Sequence, residues 1–377
     1  MTGAGGRRVR RRGTVAALLG CAVLAGCNAA DEPPSPPPSR VPAEAPRETA
    51  PAPVSRERRP APVRIAVAGD VHFEGTLAPR LRRPDTALAP ATTALAAADV
   101  AIVNLESSVG SGGRPEPGKR FTFSADASAL RALAAAGIDV VSMANNHALD
   151  YGRARVPSTL RAARRAAAED PRLTVVGIGA DEDEAFAAAV TDVGGTRVAT
   201  IAASAADQDP TADPTAAWAA GPDRSGVAGA LDPRRLLREV RVADRTADVV
   251  VAYLHWGVQG ERCPSEDQRS LARRLVGSGA DVVVGSHAHE LQGDGRLGPG
   301  YVAYGLGNFA WYSPGPTGVL TLTVRPPREP AGRAEVTASR WWPATIGADG
   351  LATRVTGAAA AASQDRRAAL RECAGLR

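Results

Sequence analysis

The feature that most constrains this chain is a repeated pattern: a short apolar run, rich in β-branched residues, that stops abruptly in a polar cluster. Five instances stand out: residues 64–68 before GDVH, 100–103 before NLE, 139–143 before ANNH, 248–254 before HWG and 281–284 before GSHAH. Runs of four to seven residues with no polar face suit strands buried on both sides of a sheet. Between them lie Ala-, Leu- and Arg-rich stretches with helical spacing at 127–136, 156–168 and 267–277. Strand, polar loop, helix, strand is the order of an α/β layered fold. Ligands of open α/β sheets gather beyond the carboxyl ends of the strands, and all five polar clusters sit there.

The chain holds five histidines, His72, His147, His255, His287 and His289, and each falls just after one of these runs. A lone histidine is more often a filler of core or surface, but all of them at one expected sheet edge point to metal binding. Neutral imidazole is a common metal ligand, and carboxylates beside it offset the ion's charge. Asp70 and His72 form an Asp-x-His pair whose alternation directs both side chains to one side. Glu106 follows the second run, Asn145 and Asn146 precede His147, Asp150 comes three residues later, and His287 and His289 repeat the His-x-His spacing. Asp70, His72, Glu106, Asn146, His255, His287 and His289 are more donors than one ion needs. They suggest two divalent ions sharing a bridging carboxylate. His147 is then left to act as general acid. Asn145 closes a turn, and Asp150 either does the same or orients His147. Mixed nitrogen and oxygen donors suit Mn, Fe or Zn.

The ordered set Asp-x-His, acidic residue, Asn-His, His and Gly-x-His-x-His is similar to the calcineurin-like metallophosphoesterases. Its details resemble the CapA (poly-γ-glutamate capsule synthesis) branch: GDVHFEG at 69–75, NLESSV at 104–109, ANNHALDYG at 144–152, HWG at 255–257, GSHAHELQG at 285–293 and YGLGNF at 304–309. The resemblance runs in order over residues 63–325, and RWWPATI at 340–346 is similar to the end of that domain. It implies layered β-sheets flanked by helices, with the metal site at the carboxyl edge of the strands. It further implies one ion held by Asp70, His72, Glu106 and His289 and a second by Glu106, Asn146, His255 and His287. His147 would protonate a leaving group, and Asn308 would support the site from behind. Many relatives carry a Glu soon after HWG; here Glu261 comes later, so no role carries over to it.

The expected domain spans 63–346, followed by a helical tail at 347–377 that reads as a helix over 358–376. Ahead of it, Arg7 to Arg12 and the short apolar stretch at 14–24 read as a signal peptide (1–26) ending in LAGC, which resembles a bacterial lipobox with Cys27 as the acylated residue. Residues 27–62, rich in Pro and Ala, read as an extended tether. Cys263 and Cys373 remain in the exported body once Cys21 and Cys27 are set aside, which suggests one disulfide, with two free thiols the alternative.

The signal holds five of the 45 basic residues and no acid, leaving 40 against 40 acidic residues. This balance excludes an electrostatic argument for nucleic acid. The arginines near the motifs (Arg80, Arg82, Arg83, Arg153, Arg155), with Lys119 and Arg120, read as a solvated face, with attraction of a polyanion the alternative. Trp256 and Trp311 line the pocket mouth or pack in the core. Three function classes are compatible with these residues. The first is an extracytoplasmic hydrolase of a phosphoester or of an anionic polymer such as poly-γ-glutamate. The second is a polymer-binding component working with capsule-assembly proteins, and the third a metal-stabilised scaffold.

Overall fold

The computed structural model describes residues 60–206, 215–329 and 332–377. The expected signal peptide, Cys27 and nearly all of the tether lie outside them. The strands, in chain order, are β1 (Val63–Val71), β2 (Val100–Leu105), β3 (Val140–Ser142), β4 (Thr174–Val176), β5 (Ala189–Val193), β6 (Thr196–Ala205) and β7 (Val249–Trp256). They continue with β8 (Val282–His287), β9 (Asp294–Leu297), β10 (Gly300–Ala303), β11 (Asn308–Ala310), β12 (Gly315–Arg325), β13 (Glu335–Ile346) and β14 (Ala352–Arg354). An eight-stranded sheet has the order β14-β13-β12-β1-β2-β3-β4, with β11 pairing to the end of β1; a six-stranded sheet has the order β9-β10-β8-β7-β6-β5. In each, the central strands run parallel.

Side-chain alternation explains how the sheets pack. Ile65, Val67, Ile102, Val251, Tyr253, Val282 and Val284 share one apolar layer to which both sheets contribute. Ala66, Ala68, Ala101 and Val103 point the other way, onto the helices α1 (Ser128–Ala135) and α2 (Val156–Ala168). Val250, Ala252 and Leu254 face α3 (Arg234–Asp244) and α4 (Glu266–Gly277). The result is two sheets face to face with helices outside, the layered α/β architecture expected, and strands buried on both faces account for their unbroken hydrophobicity.

The site-bearing strands reach further than their apolar runs. β7 extends through His255 and Trp256, and β8 through His287, so the histidines terminate strands rather than ride on loops. Close approach fixes one motif glycine: a Cβ on Gly69 would lie 1.8 Å from the Gly307 carbonyl oxygen. That contact lets Asp70 N–H donate to Gly307 O at 2.9 Å, tying GDVH to LGNF.

The expected helical tail begins with β14 on the sheet edge before α5 (Gly357–Ala374). Arg367 and Arg371 of α5 bind Asp294, and Cys373 is disulfide-bonded to Cys263 with Cα atoms 5.7 Å apart. The bond closes a separation of 110 residues and pins the tail to the loop after β7. Reduction, or Cys373→Ser, is expected to lower stability by roughly 2–4 kcal/mol. Urea unfolding with and without reductant measures this, and coincident midpoints would show that the bond contributes nothing.

Candidate metal centre

The carboxyl ends of β1, β2, β7 and β8 converge where the two sheets meet. Asp70 pairs in register with Asn104 of β2 and Asn308 of β11, and His255 with Ser286 of β8. Two ligand groups result, Asp70–Glu106–His289 and Glu106–His255–His287, each with one donor atom per residue within 4.8 Å of the others. Glu106 belongs to both.

Glu106 decides what the cluster can hold. It is 0% exposed, and neither carboxylate oxygen has a hydrogen-bond partner. Its Oε1 lies 3.6 Å from His255 Nε2, 3.6 Å from His147 Nε2 and 3.9 Å from His289 Nε2. Those gaps are too long for hydrogen bonds, and for His255 and His289, which share a ligand group with Glu106, they match donors bound about 2.1 Å from a common ion, which lie roughly 3–4 Å apart. His255 Nε2 and His287 Nδ1 face each other at 3.1 Å in the same manner. The residues therefore fit a divalent cation. Burial, followed by the charge of Asp70, pushes Glu106 well above the ordinary glutamate range. Burial also opposes ionisation of Asp70, but the hydrogen bond from His289 and the charges of His255 and His289 outweigh it and hold Asp70 low. His255 is held neutral by burial and by His287. His289 is raised to about 9, Glu106 and Asp70 overcoming the effect of burial.

Among the described residues, the non-glycine positions with left-handed φ are His287 (93°) and His289 (56°). Such backbone persists only where its surroundings over-determine it, and it clusters at functional sites. Both residues belong to the ligand groups.

Supporting side chains come from the same strand ends. Asn308 Oδ1 holds His289 Nδ1 at 2.8 Å, which turns Nε2 toward Glu106. Asn146 Oδ1 lies 2.8 Å from His255 Nε2. Asn145 donates to Leu105 O and Asn104 Oδ1 and accepts from His147 N–H, fastening the His147 turn to β2. His147 Nδ1 meets Asp150 Oδ2 at 2.6 Å. Asp150 is fully buried and raised to about 7 by that burial, against the pull of Lys119.

His72 stands apart from the ligand groups. The register shift beside it places the extra residue, Phe309, in β11, while Asp70 and Val71 stay in step with Asn104 and Leu105 of β2. Glu74 N–H approaches the His72 Nδ1 (3.0 Å) and Tyr312 N–H its Nε2 (3.2 Å), and because a neutral imidazole has one free lone pair it accepts from one of the two and not from both. Its ring packs among Phe123, Trp311 and Tyr312, and Phe123 stacks in turn on His147. Trp311 is thus a wall of the site, whereas Trp256 is core, donating to Tyr304 O. Glu261 is exposed, and the bonds shown for it are main-chain ones: its N–H donates to Val258 O and its carbonyl accepts from Gln292.

Two site residues escaped the sequence reading. Asn104 donates to Asp70 Oδ1 and accepts from Asn145, and its place two residues before Glu106 on one strand face was the available signal. Lys119 does not lie on a solvated face: its side chain is 2% exposed and ion-paired with Asp150. The signal there was its being the chain's one lysine.

Residues 64–313 match the family model described as bacterial capsule synthesis protein PGA_cap. The chain belongs to that family. As a PGA_cap member it is 32% identical over 197 residues to "Capsule biosynthesis protein CapA" of Bacillus anthracis, covering 51% of this chain and 45% of that protein. It is 29% identical over 194 residues to "PGA biosynthesis protein CapA" of Bacillus subtilis, covering 51% and 48%. A "Probable polyglutamine synthesis accessory protein" of Mycobacterium tuberculosis is 29% identical over 199 residues, covering 51% and 50%. The match spans about half the length of these curated relatives. Among solved structures, one described as a novel phosphatase from Mycoplasma pneumoniae has a TM-score of 0.45 and 12% identity, covering 76% of this chain and 94% of that one, a likeness too weak to bear on function.

A buried, raised Glu106 makes the metal-free protein pH-sensitive. The native state keeps its proton while the unfolded glutamate ionises near pH 4.5, so stability should fall as pH rises from there toward the raised native value. The slope is about 1.4 kcal/mol per pH unit for one group. In chelator, Glu106→Gln should remove that slope, and it should weaken divalent-ion binding by roughly a hundredfold or more. Denaturation across pH and calorimetric ion titration measure the two, and unchanged ion affinity would exclude Glu106 as a ligand.

Proposed function

We propose that this chain is an extracytoplasmic metal-dependent hydrolase acting on a phosphoester or on an amide bond of a poly-γ-glutamate-like anionic polymer, through two divalent ions that share Glu106. One observation carries the reading: His147 Nε2 stands 3.6 Å from the shared carboxylate while its other nitrogen is held by Asp150. A site that only stores metal or grips polymer needs no oriented proton carrier beside its ligands.

Asp70, Glu106 and His289 would hold one ion, and Glu106, His255 and His287 the other, with Asn146 Oδ1 beside the second. Bound there, the ions supply Lewis acidity toward a phosphoryl or carbonyl oxygen. The protein's own part is orientation and proton transfer. Asp150 accepts from His147 Nδ1–H and so fixes the tautomer, which leaves Nε2 to carry a proton to the departing oxygen or nitrogen. Phe123 and Trp311 exclude water from one side of the site. The nitrogen and oxygen donors favour Mn, Fe or Zn.

The Cys263–Cys373 disulfide supports an oxidising compartment outside the cytoplasm. Together with the LAGC sequence it leads us to extend the proposal to attachment at the outer membrane face through acylated Cys27. A second reading, a polymer-binding part in capsule synthesis alongside assembly proteins, is favoured by the names of the relatives.

Metal analysis of the purified protein, with phosphodiesterase, phosphomonoesterase and poly-γ-glutamate hydrolysis assays, separates the readings. The expected result is near two ions per chain and turnover of one substrate class, with His147→Ala keeping the ions and losing roughly 10²–10⁴ in kcat. Ions without turnover on any substrate would favour the polymer-binding role.

A further inference from the structure

Lys119 is the chain's one lysine; every other basic residue is arginine. It belongs to the loop 110–123, yet its ammonium is buried against the turn that presents His147. Lys119 Nζ donates to the Asn146 carbonyl and to Asp150 Oδ1, and it lies 3.2 Å from His147 Nδ1. Asn146 and Asp150 flank His147, so one ammonium grips the turn on both sides of the histidine. Trp218, from a distant part of the chain, lies over the same ammonium at 4.9 Å.

The carboxylate of Asp150 is shared with no slack. Oδ2 accepts from His147 Nδ1 (2.6 Å) and from Phe123 N–H (2.5 Å), and Oδ1 accepts from Lys119. Without the ammonium, buried Oδ1 would lose its charged donor, and the carboxylate would be held through Oδ2 alone, by Phe123 N–H and by the imidazole it has to orient. A guanidinium is a poor substitute, because its planar fork is bulkier and fixes its N–H directions in one plane, whereas an ammonium turns three donors on one compact nitrogen.

We infer that Lys119 is a positioning residue for His147: by joining Asn146 O to Asp150 Oδ1 it sets the orientation of the imidazole, and hence the direction in which Nε2 faces Glu106. The inference rests on the reading of His147 as the proton carrier. Lys119 itself acts only through Asp150 and the turn. The loop 110–123 is thereby tied to the chemistry: Glu116 N–H donates to Asp150 O, and Arg155 holds Gly112 O at the loop's other end.

The full-length, ion-loaded protein provides the test, with Lys119→Met, Lys119→Arg and Lys119→Ala. Lys119→Met should lower kcat by about 10–100-fold with KM and ions per chain within about twofold of wild type, and Lys119→Arg should not restore it. Ethylammonium should rescue Lys119→Ala in a saturable way, whereas tetramethylammonium, which has no N–H donor, should not. A variant damaged only in folding would lose activity in step with its melting temperature and would show no rescue. A second readout needs no turnover. With histidine ¹⁵N-labelled, the Nδ1-bound proton of His147 should shift in Lys119→Met and return in Lys119→Ala with ethylammonium. Wild-type kcat in Lys119→Met, or an unchanged His147 resonance, would overturn the inference. Failure of the hydrolase reading looks different: ion-loaded wild type that turns over no substrate, in which case the resonance alone decides the role of Lys119.

Discussion

Glu106 sits where the carboxyl ends of two sheets meet, and removing an ionised carboxylate from water costs several kcal/mol unless opposite charge or hydrogen bonds offset it. The protein provides no donor to either oxygen. It provides instead the nitrogens of His255 and His289 at a spacing that suits a common ion. Much of the surrounding structure serves to keep that carboxylate and those nitrogens apart by the right amount. Asn104, Asn145 and Asn308 spend their amides on neighbouring ligands and turns, not on Glu106.

Rigid strands deliver most of these groups, and the exceptions show where rigidity was insufficient. His287 ends a strand, but reaching the shared carboxylate from it takes two residues with left-handed backbone in SHAH. The cost is sustained by the packing around the loop. Gly260 N–H donates to Ala288 O, Gln292 N–H to Gly305 O, and Gln268, whose side chain completes the capping box of α4, reaches Gln292. The loop from Gly257 to α4 carries Cys263, so the disulfide to Cys373 braces the same region from the tail side. Packing at the end of the chain thus bears on the geometry of a ligand loop far away in sequence.

The sequence disclosed this arrangement unevenly, for physical reasons. Buried strands are legible because two-sided burial leaves an unbroken apolar run, and strand ends are legible because polarity returns abruptly. Asp70, Glu106, His255, His287 and His289 could therefore be read as one edge. His72 falls in neither ligand group, and what surrounds its ring, the Glu74 and Tyr312 N–H groups with Phe123 and Trp311, comes from segments that spacing along one strand does not reveal. The long hairpin of β12 and β13 was also opaque: β13 has one largely exposed stretch, so its pattern is neither continuous nor cleanly alternating. Lys119 was misread because charge predicts exposure on average, while the exceptions depend on a partner brought from elsewhere, here the buried Asp150.

The charge states around Glu106 give the final constraint. Asp70 stays ionised and His255 stays neutral, whereas Glu106 and His289 are both biased toward their protonated forms. Without an ion, the cluster balances itself with protons: one on Glu106 removes a buried negative charge, and one on His289 compensates Asp70. A divalent ion bound there would take over both duties, so its entry would expel those protons and its affinity would rise with pH until they are gone. Lys119 and Asp150 answer the same difficulty differently. There the compensating charge is built into the chain, which leaves the His147 turn organised whether or not the ions have arrived. The two halves of the site therefore separate by how their buried carboxylates are compensated: Glu106 fits an exchangeable cation, whereas Asp150 has a permanent one in Lys119.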